Sequence, residues 1–191
     1  MLSLILTHIR RFVPLNSEEE ATLASLLEVR EVKKKEHLLQ AGEICKANYF
    51  VAKGCFRLYL ITHKGAEQVI QFGIEDWWIT DYAGLKSGKP SGFYVQAVES
   101  SVVVVLHKEA EEALFEKIPQ LERYFRQVLE RAYSAQLTRI HYVFNLTGEE
   151  QYKMMRDKYP DFVQRVPQYM LASFLGITPE FLSMLRAKKD L

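Results

Sequence analysis

The chain has 191 residues, 48% of them hydrophobic and 26% charged, and carries a net charge of +1. That length and balance describe a globular chain able to bury a real core, while the near-neutral charge excludes a whole-chain basic field, so a nucleic acid or membrane would have to be met by a local surface. No stretch reaches the roughly 18 apolar residues of a membrane span, and Cys45 and Cys55 form neither a C-x-x-C pair nor a disulfide framework, which fits a reducing cytoplasm.

The opening MLSLILTHIRRFV is apolar, but its basic pair Arg10-Arg11 follows the apolar run instead of preceding it, unlike a signal peptide. It reads as an amphipathic helix packed on a β-structure. After Pro14, NSEEEATLASLLEVREV predicts a helix with Asn16 or Ser17 at the N-cap, acids in the first turn, then Leu23, Leu26 and Leu27. From Val32 to about Lys108 the residues are β-branched and aromatic, punctuated by turn signals such as Gly42, Lys53-Gly54 and Gly73. Strands are predicted at 47–51, 55–61, 67–72, 94–98 and 101–107, with a hairpin through Lys64-Gly65. The run Val102 to Leu106 is apolar on both faces, as for a strand covered by a helix. These pieces predict an antiparallel sandwich or roll. The run Lys33-Lys34-Lys35 reads as a solvated sheet edge.

A short helix at 108–116 leads to Pro119, which opens a helix-compatible run to Asn145 with no internal Gly or Pro. Leu121, Phe125, Val128, Ala132, Ala135 and Tyr142 follow at steps of three and four, interrupted only by Arg139. Leu129, Tyr133, Leu137, Ile140 and Phe144 form a second stripe beside them. Two apolar stripes need two partners: the chain's own sheet and a second copy of the helix, with the first stripe taken as the homodimer seam. Thr147-Gly148 is a break, followed by a helix with acids first and basic residues last, closed before Pro160. The remainder divides into two short helices around Gly176.

Those last helices have helix-turn-helix spacing. Ala172 is small where two helices cross, Gly176 permits the turn, Thr178 caps the second helix and Pro179 stands at its N1 position. Leu171, Leu175, Ile177, Leu182 and Leu185 supply a shared core, which leaves the other face of 179–189 pointing outward, toward a DNA major groove. Residues 165–191 hold Arg165, Arg186, Lys188 and Lys189 against Glu180 and Asp190, a modest basic excess. No catalytic residues and no metal site are predicted: the five histidines contain no His-x-His pair, two cysteines cannot ligate an iron-sulfur cluster, and no Walker loop or nucleophile elbow occurs.

A β-roll, a long helix and the C-terminal LASFLGITPEFLSMLR together resemble the Crp/Fnr family of bacterial transcription regulators, over nearly the full length and especially its short members, of about this chain's size. The resemblance implies an α+β fold: an antiparallel, cyclic-nucleotide-binding-like β-roll with flanking helices over 1–118, a dimerisation helix over 119–146, and a winged-helix or helix-turn-helix reader over 147–191. It implies a homodimer bound to double-stranded DNA at a palindromic operator, with RNA polymerase as a candidate partner and no membrane.

Two departures qualify what is implied. The family's phosphate cassette has Gly-Glu early and Arg-Ser late, whereas this chain has Thr80 and Asp81 early and Lys89, Ser91 and Gly92 late. Ser91 stands where an Arg is expected and cannot supply its charge to a phosphate, and Lys86 or Lys89 is the only nearby substitute. The expected effector is therefore a small molecule other than cyclic AMP, with no bound cofactor. In the recognition helix Glu180 keeps the family's acid, whereas Met184 replaces its arginine and Phe181 is unusually apolar for a base-facing position. Ser183 shares the outward face, Pro179 at its N1 position is a further DNA-binding candidate, and Gln168, Tyr169, Thr178 and Lys188 are the expected backbone contacts. The competing expectation is a ligand-binding dimer whose helix-turn-helix is vestigial and which acts through a protein partner.

Overall fold

The computed structural model of the chain describes residues 1–188. The first helix, α1 (Leu2–Arg10), buries Ile5, His8 and Ile9 on one face. In α2 (Ser17–Ser25), Asn16 is the N-cap: its side chain accepts from the Glu18 and Glu19 amides, and Glu19 returns the bond to the Asn16 amide, a complete capping box. This helix stops sooner than its leucine pattern predicts. Leu27 opens β1 (Leu27–Val32), because LEVREV pairs residue for residue with Ser101–Leu106 and satisfies its backbone there.

The strands that follow are β2 (His37–Leu39), β3 (Ala47–Lys53), β4 (Phe56–Ile61), β5 (Glu67–Gly73), the two-residue β6 (Trp78–Ile79), β7 (Tyr94–Ala97) and β8 (Ser101–His107). They form two four-stranded sheets, in the orders β1-β8-β3-β6 and β2-β7-β4-β5. The predicted antiparallel roll is thus present, with the β4–β5 hairpin turning through Gly65 at φ 78°. Gly54 has no substitute: its φ is 106°, and a Cβ there would lie 2.0 Å from Ser101 Oγ. Between β6 and β7 lies the short α3 (Tyr82–Ser87).

On the helix-covered side of the first sheet, Phe50, Ala52, Val104 and Leu106 pack against α1 and against α4 (Lys108–Lys117) and the start of α5 (Gln120–Asn145). Alternate residues Tyr49, Val51, Val103 and Val105 are equally buried, so Val102 to Leu106 is a strand covered on both faces. One polar relay crosses this core: Trp78 Nε1–H donates to the Tyr124 hydroxyl at 2.8 Å, and that hydroxyl meets His8 Nδ1 at 2.9 Å. Burial holds the Tyr124 hydroxyl well above the ordinary phenol range.

The C-terminal helices are α6 (Gly148–Lys158), α7 (Pro160–Arg165), α8 (Gln168–Leu175) and α9 (Pro179–Ala187). The unexpected one is α7, which starts on Pro160 as its first helical residue and needs no side-chain cap. Between α6 and residue 188 the described chain contains no strand, so the wing implied by the family resemblance is not among the described residues.

Two compact units result. The first contains 1–60 and 71–130, the second 61–70 and 131–188 of the described chain, and α5 contributes to both.

Candidate nucleic-acid interface and ligand cassette

The helix-turn-helix is built by local chemistry at its turn. Gly176 ends α8 in the left-handed conformation at φ 70°, and the Ile177 amide returns to the Ala172 carbonyl at 3.1 Å, the closing bond of a glycine-terminated helix. Two residues later Thr178 Oγ1 accepts from the Phe181 amide at 3.1 Å and caps α9. Leu171, Ala172, Leu175, Leu182 and Leu185 are all buried and lock the pair. The N-terminus of α6 closes the same core: a Cβ on Gly148 would lie 2.4 Å from the Ile177 side chain, so only glycine fits without displacement.

This packing decides which predicted residues face outward. Glu180, Ser183 and Met184 are exposed on one face of α9, with Ala187 continuing it. Phe181 is turned the other way: half-buried, its ring borders the Gly148 position and is a packing residue rather than a base-facing one. Thr178 spends its hydroxyl on the cap. Pro179 is exposed at N1, Tyr169 is half exposed, and Gln168 is partly buried at the start of α8. Lys188 pairs with Glu149 at 3.2 Å, which competes with any phosphate for its charge. Lys189 and Asp190 lie outside the described residues. The Glu180 face of α9 therefore offers one carboxylate, with the exposed Arg186 at its edge, one turn beyond Ser183.

The predicted effector cassette is internally satisfied. Asp81 caps α3 by accepting from the Gly84 amide at 3.0 Å, and Ser91 Oγ donates to its other oxygen at 2.7 Å. Thr80 donates to the Ala47 carbonyl at 2.8 Å and touches Cys45 Sγ at 3.1 Å. Thr80, Asp81 and Ser91 are buried, whereas Lys89 and Gly92 are exposed. The geometry brings Asp81 and Ser91 together but leaves both bonded to protein, with Gly84 so close beneath Asp81 that a Cβ there would fall 2.4 Å from the carboxylate. Trp78 belongs to the core, Trp77 is 41% exposed, and Tyr94 stacks on Tyr59 at 4.9 Å.

The predicted dimer seam divides in two. Leu121 and Phe125 are buried in the first unit's core with Val128 packed against it, because the helix-covered sheet needs large apolar residues there. They are core residues, so a homodimer seam does not run along them as the sequence predicts. Ala132 is half-buried, while Ala135 and Tyr142 line a cavity of the second unit. The free stripe is the other one: Leu129, Tyr133, Leu137, Ile140 and Phe144 are 42%, 66%, 48%, 48% and 83% exposed. The missed signal was the start of the helix, where Leu121, Tyr124 and Phe125 match the spacing of a core-facing first turn.

Residues 29–117 match the family model of the cyclic nucleotide-binding domain. No curated protein matches the chain. Among solved structures, FixK2 from Bradyrhizobium japonicum is similar at 16% identity, covering 84% of this chain and 83% of its own, with a TM-score of 0.70. The c-di-GMP-responsive global regulator CLP of Xanthomonas campestris is similar at 12% identity over 89% of each chain, with a TM-score of 0.72. A protein of Eubacterium rectale described as a transcriptional regulator of the Crp/Fnr family is similar at 12% identity, over 90% of this chain and 82% of its own, with a TM-score of 0.69. At these identities the likeness is one of fold. No described helix is long and apolar enough to cross a membrane.

Proposed function

We propose that this chain, which carries a cyclic nucleotide-binding domain at 29–117 and has the fold of Crp/Fnr transcription regulators, is a homodimeric, cytoplasmic DNA-binding regulator and not an enzyme. The observation that carries the reading is the capped α8–α9 turn, with the Glu180, Ser183 and Met184 face left uncovered. In a helix-turn-helix that face enters the major groove, where Glu180 accepts from a cytosine amino group and Met184 offers apolar contact to a thymine methyl. Tyr169 and Gln168 supply backbone contacts. The free stripe of α5 supports the dimer: its steps of four, four, three and four are close to the period of a two-helix seam. Two readers so joined meet half-sites about one helical turn apart.

The effector is a molecule other than cyclic AMP. A cyclic phosphate entering the cassette would meet the Asp81 carboxylate, already bonded to Ser91 and the Gly84 amide, in place of a guanidinium. An effector that changes how the two copies of α5 pack would change which half-site spacing is met, and RNA polymerase is the partner expected of an activating form. A second reading is favoured by how little positive charge α9 offers, with Arg186 at the edge of the Glu180 face as the one cation among its described residues: a ligand-binding dimer that works through a protein partner.

Selection of bound duplexes from a random pool by the full chain, at about 50 mM and 200 mM salt, separates the two. A two-fold symmetric motif that disappears with Glu180→Gln is the expected result. If no motif is enriched at either salt, DNA reading fails and the partner reading takes its place.

A further inference from the structure

The second unit contains an open cavity of about 240 Å³ where α5, α6 and α8 meet. Its walls are apolar: Tyr142, Met154, Met155, Tyr159, Phe174 and Leu175 surround it. Two of its lining residues are cations, Arg139 and Lys158, and no lining residue is an acid.

Arg139 is the unusual member. Its guanidinium lies on the Phe174 ring, 4.4 Å from the centroid, and Nη2 donates to the Phe174 carbonyl at 3.0 Å. Those contacts fix its orientation but leave its charge without a carboxylate among the described residues. Nε is buried with no hydrogen-bond partner at all. Burial works against its charge, and no acid among the described residues offsets that cost. The other pattern in this chain is plain: Arg10, Arg11, Arg30, Arg126 and Arg156 each pair with an Asp or Glu, although all sit at the surface. Arg139, partly buried, departs from that pattern: it has no acid partner among the described residues.

We propose that this cavity binds a small organic carboxylate with an apolar body, its head on Arg139 and Lys158 and its body against Met154, Met155 and Phe174. The Phe174 ring and the Phe174 and Val69 carbonyls on Nη2 hold the guanidinium in place, which leaves Nη1 to donate a charge-assisted bond to a carboxylate. Met154 and Met155 are unbranched and adapt to an irregular apolar chain, and polar groups at one end of an apolar pocket set the orientation of what enters. An occupant would tie α5 and α6 to α8, the helix that positions α9 through the Gly176 turn. The site is separate from the roll cassette and does not depend on whether α9 reads DNA.

The test is a titration of the full chain, labelled with ¹³C in its methionine methyl groups, with octanoate and with octan-1-ol. Octanoate should move the Met154 and Met155 methyl signals and leave Met1 unmoved, while octan-1-ol binds at least ten-fold more weakly. Arg139→Gln should weaken octanoate roughly ten-fold or more, and Lys158→Gln, at an exposed position that leaves the fold intact, roughly three-fold. No movement up to about 10 mM octanoate, equal binding of octan-1-ol, or octanoate affinity unchanged in both variants would overturn the proposal.

Discussion

The two ends of α5 differ in exposure. At its start Leu121 and Tyr124 are fully buried and Phe125 is 7% exposed; toward its end Tyr133 and Phe144 are 66% and 83% exposed. Both stretches are equally apolar in sequence, yet only the first has a sheet to cover. In the first unit the helices close over the sheet, the buried relay of Trp78, Tyr124 and His8 is bonded and the cassette holds its own carboxylate, while Asn48 Oδ1 and Gln127 Nε2 are buried without a hydrogen-bond partner among the described residues. The second carries most of the exposed apolar stripe, a guanidinium with no acid partner among the described residues and an open α9 face, and exposed apolar surfaces of that kind are where partners are met. In the proposed reading the molecule's interactions fall in its smaller unit.

Substitutions at the two ends of α5 should have the largest effects, and opposite ones. Ile140→Asp puts an unpaired carboxylate in the free stripe and should cost more than about 3 kcal/mol of association, turning a dimer into a monomer in sedimentation velocity while its unfolding midpoint in dilute solution stays put. Leu121→Ala should do the reverse, removing about 2–5 kcal/mol from denaturant-measured stability while the surviving folded fraction still self-associates. A monomer in the Leu121 variant and an intact dimer in the Ile140 variant would return the seam to the buried stripe.

Gly148→Ala sharpens the picture of the second unit. The added methyl group has to displace Ile177, so a loss of about 1–3 kcal/mol is expected, read as earlier melting of the second unit's amides in hydrogen exchange. The smallest effect is electrostatic. Glu150 is held below the ordinary carboxylate range by the Thr147 amide and then the Thr147 hydroxyl, both donating to it. Its folded value is depressed, so its contribution to stability is present above the unfolded value and is lost as pH falls through the folded one. Thr147→Ala removes the hydroxyl alone and should raise the Glu150 titration midpoint part of the way back, as followed by carboxyl NMR.

What was legible in the sequence is what local chemistry dictates. Asn16 with Glu19, Gly65 in its hairpin, Val102 to Leu106, and the Gly176–Thr178–Pro179 turn each specify their conformation within a few residues. Long-range packing hid the rest. Leu26 and Leu27 continue a helical pattern, and only the pairing of β1 with β8 makes Leu27 a strand residue. Gly148 reads as a helix break, but its constraint comes from Ile177, twenty-nine positions away. Arg139 reads as a polar gap in an apolar stripe until α6 and α8 supply the cavity around it. In the cassette the residue types were legible, but not that Ser91 would donate to Asp81 and leave the pair satisfied.

Hydroxyl-radical footprinting of the full chain on its selected duplex tests DNA reading by paired α9 helices most directly. Two protected patches related by two-fold symmetry and centred about one helical turn apart are predicted, both lost together in Ile140→Asp. A single patch, or uniform protection that shrinks with salt and is unchanged by Glu180→Gln, would contradict it.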